Sequence, residues 1–312
     1  MSAPAEGAPR VPRAATLDHL RGSITPLPTP FTADGAAVDA AALRALVEFQ
    51  IAGGSHGVGC TGTTGEPTSL TLAERQAVIR AVVEAAAGRV PVLAGTGSNN
   101  TAESIALTRY AADVGADAVL VVAPYHVRPT QDGLFEHFRA VASAVELPVM
   151  LYNIPGRAGV NVLSETQRRV RAACPNVFGV KEANADFAQV SHDLAVCGRD
   201  WRVFSGIEAL CFPMLALGGA GHVSATGNVA PRELAALYDL AAAGRWDEAR
   251  DLHFRLLALN EVLFIETNPG PVKFLLGAMG LCQPTLRLPL APPAPASAAR
   301  IRAVAREYGL VP

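Results

Sequence analysis

The sequence predicts an α/β fold: a (β/α)8 TIM barrel followed by a C-terminal appendage of three helices. Three observations carry this. Eight short, continuous apolar segments alternate with amphipathic helical patterns. The connections between them are short. After Ala243 the apolar strands stop and three helical patterns follow. Strands that are apolar along their whole length belong to sheets covered on both faces, and eight βα repeats close such a sheet into a barrel. A doubly wound open sheet is the rival, and the count of eight decides against it.

The strand segments are Gly22 to Leu27, Gly57 to Cys60, Val90 to Ala94, Ala116 to Val122, Pro148 to Tyr152, Val177 to Lys181, Arg202 to Ser205 and Gly221 to Ala225. After the first, Ala41 to Ile51 places Leu43, Leu46, Val47 and Ile51 on one helical face. Thr71 and Glu74 spell a capping box at the head of a helix running to Ala87, and Ser164 with Gln167 spells another after the fifth strand. Pro231 stands near the start of the helix after the eighth strand, where its missing N–H costs nothing. Trp246 to Phe264, Pro271 to Leu281 and Ala298 to Glu307 form the appendage, with Pro289 to Ser297 as an extended Pro/Ala linker. The expected organisation is a disordered tail over residues 1–17, a catalytic barrel over 18–243 and a helical domain over 244–312.

Composition bounds the partners. Half of the 312 residues are hydrophobic and the formal net charge is -2, with no basic run to hold nucleic acid. No apolar stretch reaches membrane-span length, and the Ala/Pro/Arg-rich start lacks the apolar centre of a signal peptide. The five cysteines are odd in number and scattered, which predicts free thiols in a reducing cytoplasm. The histidines show no ligand spacing, so no metal site is expected.

Lysine is the informative residue. Of 26 basic residues only Lys181 and Lys273 are lysine. An arginine bias of this strength reflects coding composition, and lysine survives it where arginine cannot substitute. Arginine is no amine nucleophile, whereas a desolvated lysine can form a Schiff base. Lys181 ends the apolar run Val177-Phe178-Gly179-Val180, at the barrel end where active sites collect. A rim lysine paired with Glu182 is the plainer alternative. Lys273 lies in the helical appendage, where a structural or interface role is expected.

Two further strand ends carry polar groups. After the second comes Gly62-Thr63-Thr64-Gly65-Glu66, whose backbone N–H groups and hydroxyls can hold a small carboxylate and relay a proton, or can simply satisfy a tight turn. After the fifth comes Tyr152-Asn153-Ile154-Pro155-Gly156-Arg157. Tyr152 can donate and accept a proton, and Arg157 can fork onto a carboxylate. A buried tyrosine beside a solvated arginine is the alternative.

Together with Val180-Lys181-Glu182-Ala183 and Asn268-Pro269-Gly270-Pro271-Val272-Lys273, these motifs make the chain resemble the dihydrodipicolinate synthase and N-acetylneuraminate lyase family, in order and spacing from about Leu20 to Leu310. The resemblance implies a class I aldolase that binds pyruvate or a related keto acid as a lysine imine, with no other cofactor, and that assembles as a homotetramer or homodimer. It implies Lys181 as the Schiff-base residue, Tyr152 as its proton shuttle and Thr63 in the proton relay. Thr64 would bind the pyruvate carboxylate, Gly206 and Val223 would line the pyruvate pocket, and Arg157 would receive the second substrate's carboxylate. The arginine favours the synthase branch, which joins pyruvate to aspartate semialdehyde in lysine biosynthesis. One departure stands out: Tyr125-His126 replaces a pair of tyrosines, which makes His126 a relay or specificity position. It keeps open an aldolase or dehydratase acting on a 2-keto-3-deoxy acid or a hydroxylated keto-diacid. Asn99, Glu103 and Tyr125 resemble the lysine-feedback site, but Leu72 and Arg75 stand where histidines are common, so feedback by lysine is expected to be weak or absent. A scaffold without catalysis fits poorly with the intact lysine, tyrosine and threonines. A phosphate-binding barrel fits poorly with Gly218-Gly219-Ala220-Gly221, which lies before the eighth strand.

Overall fold

A computed structural model describes residues 17–312; the first sixteen residues of the expected tail lie outside the described residues. Eight strands, β1 Gly22–Pro26, β2 Gly57–Cys60, β3 Val92–Gly95, β4 Ala118–Val122, β5 Val149–Asn153, β6 Val177–Glu182, β7 Arg202–Ser205 and β8 Gly221–Val223, pair in sequence order and all in parallel. β8 pairs back onto β1, so the sheet is a closed barrel.

Helices α1 Ala40–Ala52, α2 Leu72–Ala86, α3 Thr101–Asp113 and α4 Gln131–Ala142 follow the first four strands. The short α5 Pro155–Ala158 and then α6 Ser164–Ala173 follow β5. α7 Phe187–Cys197, α8 Cys211–Ala216 and α9 Pro231–Ala242 complete the ring. The C-terminal helices are α10 Trp246–Val262, α11 Gly270–Ala278 and α12 Pro295–Glu307.

The strand pleat sorts the side chains into two apolar bodies. Ile24, Leu93, Leu120, Met150, Tyr152, Phe178, Phe204 and Val223 fill the barrel interior. The opposite faces of the strands pack on the helices, a core that continues into the C-terminal helices through Leu256, Leu259, Leu275 and Ile301. The barrel is therefore plugged below and open only where the strands end. No described helix is long and apolar enough to cross a membrane.

Two local expectations change. The Thr71–Glu74 capping box forms, but Ser164 does not cap α6: Leu163 is the N-cap residue, with no side-chain bond to the helix. Gln131 of α4 takes over, its Oε1 accepting from Leu163 N at 3.2 Å and Thr166 Oγ1 at 2.6 Å. The expected linker also ends early, because Pro295 opens α12 at the first helical turn.

Candidate active site

Lys181 and Tyr152 face each other because the β5–β6 register shifts by one residue at a bulge: Val149 pairs with Val177 but Met150 with Gly179. Tyr152 pairs with Lys181 and, one residue on, Asn153 with Glu182. Side chains alternate across a strand, so the first pair points into the barrel and the second toward the helices. Asn153 locks this arrangement from outside. Its Nδ2 donates to Asn161 Oδ1 at 2.7 Å and to both Glu182 carboxyl oxygens at 3.0 Å, while its Oδ1 accepts from Val162 N at 3.0 Å. Glu182 also accepts from Asn184 N at 2.9 Å. The carboxyl is thus committed to the outer face, and the rim ion pair with Lys181 does not form. Burial pushes Glu182 up to about 8, against the hydrogen bond from Asn153.

Inside, Lys181 is 6 % exposed and Tyr152 4 %. The Lys181 amine stands 4.3 Å from the centroid of the Tyr152 ring. Gly206 makes room for it: a methyl there would lie 2.8 Å from Lys181 Cε and 3.0 Å from Ala183 Cβ. The chamber around the amine is completed by Thr63, Thr64, Gly206, Glu208, Val223 and Asn268. Thr63, Tyr152, Ile154, Arg157 and Asn268 line both this chamber and a larger outer cavity, so the two are continuous. Arg157, carried on α5, stands exposed at their junction, its Nη2 donating to Asn268 O at 3.4 Å. Apolar walls and a handful of convergent polar groups are the makings of a small-molecule site.

Thr63 and Thr64 sit in a 3-10 turn after β2. Both flanking conformations are unusual: Thr61 has φ 51 and Glu66 φ 55. Non-glycine residues adopt the left-handed region only when their surroundings fix them there. Gly95 lets the turn approach β3, since a methyl on it would meet Thr61 O at 2.5 Å, and Thr61 Oγ1 donates to Gly95 O at 2.9 Å.

The structure thus brings Lys181, Tyr152, Thr63, Thr64, Arg157, Gly206 and Val223 to one chamber. His126 is not brought there. It lies exposed beyond β4 with φ 72, beside Val127, which is 57 % exposed. Two polar residues lining the chamber were not singled out from the sequence, Glu208 and, within a quoted motif, Asn268. Glu208, 6 % exposed, accepts from Ala225 N at 2.7 Å and Ser224 Oγ at 3.3 Å. Burial raises its carboxyl, while the Ala225 N–H and the Lys181 charge oppose. Asn268 donates from Nδ2 to Thr64 Oγ1 at 3.0 Å, reaching in from the segment before α11. The five cysteines are free thiols, and among the described residues no group of three or more His, Cys, Asp or Glu is placed to hold a metal ion.

Residues 19–307 match the profile of the dihydrodipicolinate synthetase family. The chain belongs to that family. It is a lyase of the class I aldolase type. A 4-hydroxy-tetrahydrodipicolinate synthase of Thermus thermophilus is 47% identical over 294 residues, covering 94% of this chain and 98% of that protein. One from Geotalea uraniireducens is 48% identical over 292 residues, covering 94% of this chain and all of its own length. Among solved structures, the dihydrodipicolinate synthase of Aquifex aeolicus superposes with a TM-score of 0.91 at 42% identity, over 93% of this chain and 98% of its own. That of Thermotoga maritima gives 0.90 at 37%, over 93% and 99%.

Proposed function

We propose that this family member is a 4-hydroxy-tetrahydrodipicolinate synthase, condensing pyruvate with aspartate semialdehyde. The observation that carries the reading is the in-register pair of Lys181 and Tyr152 in one buried chamber with the two threonines, with Arg157 at its outer end.

Lys181 Nζ attacks the ketone carbon of pyruvate. Tyr152 protonates the departing hydroxyl, water leaves and the C=N bond of the imine forms. The pyruvate carboxylate lies against the Thr63–Thr64 turn. Tyr152, relayed by Thr63, then removes a methyl proton, and the C–H electron pair moves into C=C as the iminium nitrogen accepts charge. The enamine carbon adds to the aldehyde, whose oxygen takes up the proton. Arg157 holds the carboxylate of the semialdehyde as a charge-assisted fork. The amine of the semialdehyde closes the ring onto the imine carbon and releases Lys181. No external cofactor enters. Gly206 and Val223 shape the pyruvate end.

His126 serves as a relay or specificity residue from an adjacent copy of the chain, in a homotetramer or homodimer; its exposure beside exposed Val127 supports an interface position. Residues 18–243 form the catalytic barrel and 244–312 a helical domain, in a cytoplasmic enzyme without nucleic-acid or membrane partners.

Borohydride reduction with pyruvate, followed by peptide mass mapping, tests the covalent step. The expected result is a reduced pyruvyl adduct on Lys181. Turnover of pyruvate with a panel of aldehydes tests the second half. Aspartate semialdehyde should be the preferred acceptor, and its failure to react would return the chain to the keto-acid aldolases or dehydratases.

A further inference from the structure

The second lysine supplies an independent device. Lys273 of α11 and Glu66, which follows the Thr63–Gly65 turn, form an ion pair at 2.7 Å with both side chains at 0% exposure. Lys273 Nζ also donates to Thr29 O at 2.8 Å, and Thr29 Oγ1 donates to Gly65 O at 2.7 Å. The ammonium therefore ties the loop after β1 to the residue after the threonine turn, and the loop ties the turn's last carbonyl. Ahead of α11, Asn268 holds the Thr64 hydroxyl. Glu66 is further fixed by Arg287 N, which donates to its Oε2 at 3.3 Å. Both lysine and arginine lie over the Phe31 ring, 4.2 and 4.3 Å from its centroid.

Stability alone is a weak reason for such a pair. Desolvating two ions costs as much as their attraction returns, and well-packed apolar side chains at both places would hold the fold equally well. What apolar packing cannot do is hold Glu66 in the left-handed region at φ 55 and set the adjoining turn to within a hydrogen-bond length. Thr63 and Thr64 need that accuracy, since they line the Lys181 chamber.

We propose that Lys273 and Glu66 are positioning residues, through which the C-terminal helices set the Thr63–Thr64 turn for proton transfer at the imine. The proposal rests on the Schiff-base reading of Lys181. It separates two steps of the reaction with pyruvate alone. With pyruvate saturating, so that a looser seat for its carboxylate is overcome, imine formation needs the amine and Tyr152. The loss of a methyl proton to give the enamine, and the return of a solvent proton to the same carbon, need the threonine relay in place.

The test uses the full chain with pyruvate in deuterium oxide. Borohydride trapping on Lys181 reads imine formation, and loss of the methyl proton resonance reads enamine formation. Lys273→Met leaves Glu66 as an unpaired buried carboxylate and is expected to melt earlier. The Glu66→Gln/Lys273→Met double variant leaves no buried ion, keeps an acceptor for Arg287 N, and is expected to fold. In the double variant, trapping at saturating pyruvate should stay within about twofold of the parent while methyl exchange falls about tenfold or more. Parental exchange in the folded double variant would overturn the proposal and leave the pair a purely structural contact. Equal loss of trapping and exchange would overturn it too, since the defect would then lie at Lys181. Absence of trapping in the parent protein would instead sink the Schiff-base reading itself.

Discussion

Gly206→Ala should disable the amine while barely loosening the fold. The added methyl would lie 2.8 Å from Lys181 Cε, 3.2 Å from Lys181 Cγ and 3.0 Å from Ala183 Cβ. Carbon atoms rest at about 3.5–4.0 Å, so Cε must retreat by roughly 0.7 Å or more. The lysine is flexible and can swing away, which keeps the stability cost near the low end for overpacking, about 1 kcal/mol. Catalysis has no such escape. Tyr152 is held by its strand, and the amine must meet a ketone carbon bound against the threonine turn. A misplacement of about 1 Å costs on the order of 100-fold in rate. The assay is the rate of borohydride-trapped pyruvyl adduct in the parent and the variant, with thermal melting alongside. Gly156→Ala is the control, since a methyl there meets nothing within 4 Å among the described residues. The expected pattern is a roughly 100-fold slower trapping rate in Gly206→Ala, a melting point lower by only a few degrees, and a parental control. Trapping at the parental rate in Gly206→Ala would refute the claim that glycine is there to seat the lysine.

Three further outcomes follow from other parts of the molecule. Arg157→Ala should raise KM for aspartate semialdehyde by roughly 30-fold, about 2 kcal/mol for a lost charge-assisted bond, and leave pyruvate trapping unchanged; equal loss of both would place the arginine elsewhere in the reaction. Lysine should inhibit weakly or not at all in steady-state assays. Glu103 already holds the buried Arg75 guanidinium at 2.9 Å, and inhibition at micromolar lysine would contradict the reading. Melting temperature should fall on both sides of mildly acid pH. Burial pulls His222 down to about 3 and His137 to about 4, so the unfolded chain takes up protons below about 6.5 that the folded chain refuses, and stability drops as pH falls through that window. Glu182 moves the other way: raised to about 8 from 4.5, it holds a proton in the fold that the unfolded chain has lost, so stability declines as pH rises between those values. Among the described residues neither ring nitrogen of His222 has a hydrogen-bond partner, so His222→Leu should flatten the acid limb, and an unchanged acid slope would refute its part in it.

The barrel was legible because its signals are local. An apolar run of four to six residues followed by a helical period needs no knowledge of the rest of the chain, and eight such units admit few closures. Local signals failed where a distant group competed. Ser164 and Gln167 spell a capping box, yet Gln131 of the neighbouring helix offers Leu163 and Thr166 an acceptor, and Gln167 turns instead to Val162 O and Asp193. Pro295 could be read as linker or as helix start, and proline-rich composition favoured the linker. The Ala294 N–H that precedes it is satisfied by Glu266, a contact no window of sequence contains.

The candidate site divides along the same line. Lysine scarcity and strand-end position pointed to Lys181, and the spacing of Tyr152 from Lys181 placed them on consecutive strands. Their facing is a matter of register, which a bulge at Val149–Met150 shifts by one residue and the Asn153–Glu182 bridge holds from the side away from the chemistry. Asn153 and Glu182 stand in the quoted motifs, but their sequence neighbours gave no sign that they work outward. Glu208 follows a strand end like the others, but a glutamate in a turn is ordinary and only its burial makes it informative. The contacts between the C-terminal helices and the threonine turn span 204 and 207 residues. Pairings at that separation leave no periodicity and no spacing rule behind. What the sequence did contain was the second surviving lysine, and the criterion that singled out Lys181 applied equally to Lys273. Arginine lacks the reactivity that the first position needs. At the second, a compact ammonium fits a site of zero exposure between one carbonyl and one carboxylate, where a planar five-donor fork would strand several N–H groups without acceptors. The two lysines therefore escaped the arginine bias for different reasons, one chemical and one geometric, and both reasons converge on the chamber beneath the threonine turn.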